Sequence, residues 1–153
     1  MLSLSLRLIL LLFLTLGSGF IINQFYSEGI RWGLLKPRFQ NNAESQGVQF
    51  ILADSAFALH LQGEALFIDA RPAGEYSIDH ILGALSVPLL SYYKSPEILN
   101  DLDKQNNYIL YCFEPECQEA SALAVEFIHY QFANVFVLSG GFSEWLEKGY
   151  PVE

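Results

Sequence analysis

One pattern constrains this chain more than any other: short apolar runs that end abruptly and give way to helical spacing. It is clearest where Tyr108 to Tyr111 ends on Cys112, crosses Phe113-Glu114-Pro115-Glu116-Cys117, and enters a helical stretch. That stretch sets Ala120, Leu123, Ala124, Phe127 and Ile128 on one face. Val48 to Leu52, Ala65 to Ala70, Ala84 to Val87 and Asn134 to Leu138 are further runs of strand length. Between them, Asp54 is placed to N-cap a helix through His60 that Gly63 ends, and Ala73 to Ile78 reads as a short helix. Pro96 to Lys104 carries Ile98, Leu99 and Leu102 at helical spacing, and Ser139-Gly140-Gly141 turns into a last helix, Phe142 to Lys148. Strands that alternate with helices in this way predict an α/β fold with a parallel sheet covered on both faces.

That order has a chemical consequence at Cys112. A thiol at the carboxyl end of a strand, just before a helix, sits where α/β sheets place ligands. Unpaired amide N–H groups and the positive end of the helix dipole face it there, and both favour thiolate over thiol. The same surroundings suit the extra negative charge of a persulfide. The plainer alternative is that Cys112 is a small buried hydrophobe.

The chain has 153 residues, 52% of them hydrophobic, and a mean hydropathy of +0.26, with the apolar excess at the front. No charge occurs from Leu8 to Ser27. Twenty helical residues span about 30 Å, the thickness of a bilayer's hydrocarbon core. Residues 1–27 therefore predict a single-pass membrane anchor, with a signal peptide cut near Gly17-Ser18-Gly19 as the competing reading. Arg31, Lys36 and Arg38 after the span, against Arg7 before it, lean by the positive-inside rule toward a cytoplasmic domain. Residues 28–47, broken by Gly29, Gly33, Pro37 and Gly47, read as a linker to a domain over 48–153. All 17 acidic residues lie at or after Glu28, so this domain is more acidic than the chain's formal −9. Such a charge opposes nucleic acid and anionic lipid as partners.

Asp69-Ala70-Arg71, Glu75-Tyr76, His80-Ile81-Leu82-Gly83-Ala84, Val87-Pro88, Tyr111-Cys112 and Gly140-Gly141-Phe142-Ser143-Glu144-Trp145 occur in this order. With the closing Gly149-Tyr150-Pro151-Val152, they make the chain resemble the rhodanese-like domain family from about Val48 to Glu153. The resemblance implies a five-stranded parallel sheet flanked by helices. It implies that Cys112 takes up sulfane sulfur as a persulfide and passes it to a thiol acceptor, with no cofactor. It also implies an active-site loop of Phe113, Glu114, Pro115, Glu116, Cys117 and Gln118 whose backbone N–H groups point at the sulfur. Asp69 and Arg71 are implied as supports of that loop.

The loop departs from the family's pattern. Members that take thiosulfate tend to carry Arg or Lys there, whereas Glu114 and Glu116 stand here. Each carboxylate repels a dianion by ~1 kcal/mol per charge pair at 4 Å in bulk water, and by more where screening is weaker. Weak thiosulfate activity is therefore expected, with a neutral or protein-borne persulfide better tolerated. Two alternatives stay open beside the sulfurtransferase: a binding module with a weak thiol, and a disulfide oxidoreductase using Cys112 and Cys117. Cys117 either resolves a species on Cys112 or plugs the loop. His80 is expected to bond a backbone carbonyl, and His60 and His129 have no partner at ligand spacing, so no metal site is read.

Overall fold

Strands buried on both faces cannot alternate polar and apolar residues, and that is why each run above is almost wholly apolar. The computed structural model describes residues 43–44, 46–115 and 117–153. In chain order the elements are β1 (Gln49–Ile51), α1 (Ala53–Gln62), β2 (Ala65–Asp69), α2 (Ala73–Tyr76), β3 (Leu85–Ser86) and α3 (Leu89–Lys94). A 3₁₀ helix (Pro96–Asp101), β4 (Asn107–Tyr111), α4 (Gln118–His129), β5 (Asn134–Leu138) and α5 (Gly141–Glu147) follow. The strands form one five-stranded sheet in the order β1-β5-β4-β2-β3, and every pair in it is parallel.

β4 is the central strand, and its period of two sorts the core. Tyr108 and Leu110 pack with Leu123, Ala124 and Phe127 of α4, together with Tyr92 of α3 and Leu99. Ile109 and Tyr111 face the other way and pack with Ala53 and Ala56 of α1 and with Phe142 and Trp145 of α5. Trp145 and Phe142 are both fully buried, each contributing roughly 2–3 kcal/mol relative to exposure. β2 leads into α2, whose Tyr76 packs on the α1 and α5 side, whereas β4 leads into α4 on the opposite side. Neighbouring strands that send their connections to opposite faces open a crevice at their carboxyl ends.

Several details differ from the sequence expectations. Asp54 is not the cap of α1: Leu52 holds that position without a side-chain bond. The Asp54 carboxylate is drawn instead to Lys148 Nζ at 2.8 Å and to the Tyr150 hydroxyl. Gly63 does end α1, with a φ of 67° that a side chain would disfavour. The helix expected from Pro96 to Lys104 is a 3₁₀ helix ending at Asp101, and α3 ahead of it was not anticipated. Ala43 is buried in the core beside Val48. The anchor expected over residues 1–27, and most of the linker, lie outside the described residues. Among the described residues no helix is long and apolar enough to cross a membrane.

Candidate active site

Cys112 continues the alternation of β4, so its side chain joins the core beneath α4 and is only 6% exposed. The loop after it is tied to α5. The Cys112 carbonyl accepts the Phe142 N–H at 2.8 Å, and the Phe113 carbonyl accepts the Ser143 N–H at 2.9 Å. In a trans peptide the next N–H points opposite to the carbonyl, so the N–H groups of Phe113 and Glu114 point away from α5. Pro115 contributes none. This contact depends on Gly141. A Cβ there would stand 2.6 Å from the Phe113 carbonyl oxygen and 2.7 Å from that of Glu114, and φ at Gly141 is +63°. The sequence had suggested only a tight turn at this glycine; the structure adds close packing of the loop against it.

Asp69 and Arg71, at the end of the adjacent β2, form a buried ion pair, 0% and 3% exposed. Arg71 Nη2 donates to Asp69 Oδ2 at 2.7 Å and to the Asp79 carbonyl at 2.6 Å, while Nε donates to both Asp69 oxygens at 3.1 Å. Burial works against the guanidinium charge, but the Asp69 hydrogen bonds and charge outweigh it and hold the Arg71 pKa above its ordinary value. The guanidinium carbon lies 4.3 Å from the Phe142 ring centre, which links this pair to the residue that holds the Cys112 carbonyl. Breaking such a pair costs about 3–5 kcal/mol, because it strands a buried charge. Tyr111 completes the floor: its hydroxyl accepts the Ile81 N–H at 3.1 Å, and burial pushes its pKa up.

Above Cys112 opens a cavity of about 200 Å³ lined by Arg71, Pro72, Glu75, Cys112, Phe113, Glu114, Cys117 and Glu119. Glu114 borders it, while Glu116 lies outside the described residues. Glu75 and Glu119 were not anticipated. Glu119 was within reach of sequence reasoning, two residues after Cys117 in the first turn of α4; Glu75 needed the fold. The one strong cation at this wall, Arg71, is already committed to Asp69. A second, more apolar cavity of about 400 Å³ shares Pro72 and Glu119 with the first and runs along Pro88 and Leu89.

Cys117 ends the loop as the N-cap of α4 and is paired with Cys112 as a disulfide, their Cα atoms 6.2 Å apart. Its Sγ also lies 3.1 Å from Glu119 Oε2. Cys112, Cys117 and Glu119 bring ligand-type atoms within 4.8 Å of one another. Paired as a disulfide, the two sulfurs have no thiolate to offer a cation. Gln118 opens α4 beside them. His80 holds the Tyr76 carbonyl through Nδ1 at 2.8 Å, as expected. His60 packs among the rings of Phe57, Phe67 and Trp145, away from the cavity.

The pattern that defines the Rhodanese-like domain matches residues 54–148, well over half of the chain. The chain belongs to the rhodanese-like domain family. A tRNA uridine(34) hydroxylase of Yersinia enterocolitica is 30% identical over 112 residues, which are 68% of this chain and 31% of that protein. The chain thus spans about a third of the length of the curated relatives it matches. Among solved structures, a Bacillus halodurans protein superposes with a TM-score of 0.63 at 24% identity, covering 74% of this chain and 82% of that one. A rhodanese-related protein of Thermoplasma volcanium superposes with a TM-score of 0.56 at 25% identity, covering 69% and 97%. The rhodanese-like domain of this chain therefore has the sheet and flanking helices of its family, with the Cys112 loop at the carboxyl end of the central strand.

Proposed function

We propose that the rhodanese-like domain is a sulfurtransferase in which reduced Cys112 takes sulfane sulfur as a persulfide and gives it to a thiol acceptor. The observation behind this reading is the placement of Cys112: at the end of the central strand, at the base of a small cavity, under a loop whose carbonyls are tied to α5. The Cys112 thiolate attacks the donor's sulfane sulfur, a sulfur–sulfur bond forms, and the donor's remainder leaves with the electron pair. The Phe113 and Glu114 N–H groups, free of α5, are the donors available to the terminal sulfur. Glu75, Glu114 and Glu119 set the preference: they oppose a dianionic donor and favour a neutral or cationic one. Those same carboxylates favour a second reading, in which the acidic mouth docks a basic partner and sulfur transfer is weak.

Uridine hydroxylation, named for the Yersinia relative, is not part of this proposal, because the match covers 31% of that protein and the acidic charge here opposes RNA. The uncharged run from Leu8 to Ser27 is proposed to hold the domain at a membrane. The test of the sulfurtransferase is sulfite release. Reduced full-length protein in excess thiosulfate should release sulfite stoichiometrically, and Cys112→Ser should release none. Equal release from the two proteins would rule out Cys112 as the acceptor of sulfur; no release from either, with both thiols shown to be free, would favour the docking module.

A further inference from the structure

The persulfide chemistry leaves Cys117 without a task, yet this is the side chain the loop brings into bonding contact with Cys112. Both cysteines sit in one short loop, and their Cα separation of 6.2 Å lies within the range that disulfides occupy, so the pairing needs no change of backbone. The point of contact matters. Cys117 Sγ meets Cys112 Sγ, the inner sulfur of a persulfide, and not a site where a terminal sulfur would be handed on. Cys117 is the N-cap of a twelve-residue helix, whose dipole favours a thiolate there. Glu119 Oε2, 3.1 Å from its sulfur, is placed to accept the thiol proton in the reduced protein. Cys117 is also the more open of the two, partly exposed where Cys112 is buried, so an outside thiol reaches the pair from its side.

We infer that Cys117 is a resolving cysteine that makes this domain a sulfane-sulfur reductase, releasing sulfide; the inference rests on the Cys112 persulfide proposed above. With thiosulfate as donor, Cys112 Sγ bonds the sulfane sulfur, the bond to the sulfonate sulfur breaks, and sulfite leaves. Cys117 then gives its proton to Glu119 and attacks Cys112 Sγ. The Cys112–Cys117 bond forms, the bond from Cys112 Sγ to the terminal sulfur breaks, and hydrosulfide leaves with the electron pair and recovers the proton. Two electrons from the two cysteine thiols have reduced the sulfane sulfur to sulfide. An external dithiol restores the enzyme by attacking Cys117 Sγ, passing through a mixed disulfide and leaving oxidised. The net reaction converts thiosulfate and a dithiol to sulfite, sulfide and a disulfide.

The experiment is a single turnover without any external thiol. Reduced full-length protein, freed of reductant, is given excess thiosulfate and time for slow loading. Wild type should yield sulfite and sulfide in equal amounts, each stoichiometric with protein, and its intact mass should fall by two hydrogens. Cys117→Ser should yield the same sulfite and no sulfide, and should gain the mass of one sulfur. A wild type that retains the sulfur and releases no sulfide overturns the resolving role while leaving the persulfide reading intact. A Cys117→Ser protein that takes up no sulfur, with its Cys112 still open to alkylation, overturns both. Cys117→Ala, run beside it, guards against a local effect of the serine hydroxyl and must give the same products.

Discussion

At the scale of single residues, charge and close contact around Cys112 decide what the site tolerates. Glu75 and Glu114 border the cavity, and Glu75 also meets Arg71 Nη1 at 4.0 Å from the exposed side. Replacing both with Gln is expected to raise kcat/KM for thiosulfate about 10-fold, the ~1.4 kcal/mol that two weakly screened repulsions supply. Steady-state sulfite release checks this, and the gain should shrink as salt rises. No gain at low salt would mean that these carboxylates do not limit thiosulfate turnover, and would point to the shape that Pro115 gives the loop. Gly141 is the opposite case, a residue of no chemistry on which the loop rests. Gly141→Ala places a methyl against two backbone carbonyls at a positive φ, so it is expected to cost roughly 1–3 kcal/mol and to displace Phe113 and Glu114. Urea unfolding reads the first effect. Loss of sulfite release in protein that is still folded reads the second.

At the scale of elements, α1 and α5 are held together by an aromatic cluster with a histidine inside it. Burial among Phe57, Phe67 and Trp145 pushes the His60 pKa below its ordinary value. Below a pH of about 6.5 the unfolded chain therefore binds a proton that the folded one resists. The stability His60 contributes is present in full above that pH and is lost as the pH falls through the folded value. His60→Leu should flatten this acid limb, measured as the difference in urea midpoint between pH 7 and pH 5; an unchanged limb would show that other groups set it. β2, β4 and β5 were legible because burial on both faces makes their apolar runs continuous, and α4 because a twelve-residue helix displays a full stripe. α3 was not: Leu89-Leu90-Ser91-Tyr92-Tyr93-Lys94 is under two turns long, too short to show a period. Asp54 misled for a different reason, since a good capping residue was claimed by Lys148 from across the sequence. Within the site, Cys112, its loop and the Asp69–Arg71 support were readable from strand ends and family order. Glu75 was not, because only the fold brings α2 to the β4 loop.

At the scale of the whole molecule, the first question is where the domain is held. If the run from Leu8 to Ser27 spans a bilayer, the full chain stays with membranes through alkaline carbonate and leaves them in detergent. Release by carbonate, or a mature N-terminus near Phe20, would end the anchor proposal. The order of the strands bears on something else, the making of the chain. β1 is an edge strand whose neighbour is β5, and β4 takes its place between β2 and β5. Of these five strands, the first to leave the ribosome thus waits for the last. Until Leu138 has emerged, β1 has no partner and one edge of β4 lies bare, so the half-made sheet offers foreign strands the same pairing that β5 later supplies. Nascent chains stalled before Asn134 should be cut readily by protease within Phe50 to Leu61, and chains stalled on an added C-terminal tail longer than the exit tunnel should resist. Equal resistance at both lengths would mean that β1 docks without its neighbour. Otherwise this domain spends its synthesis as an unfinished surface, and the moment its last strand clears the tunnel becomes part of how it folds.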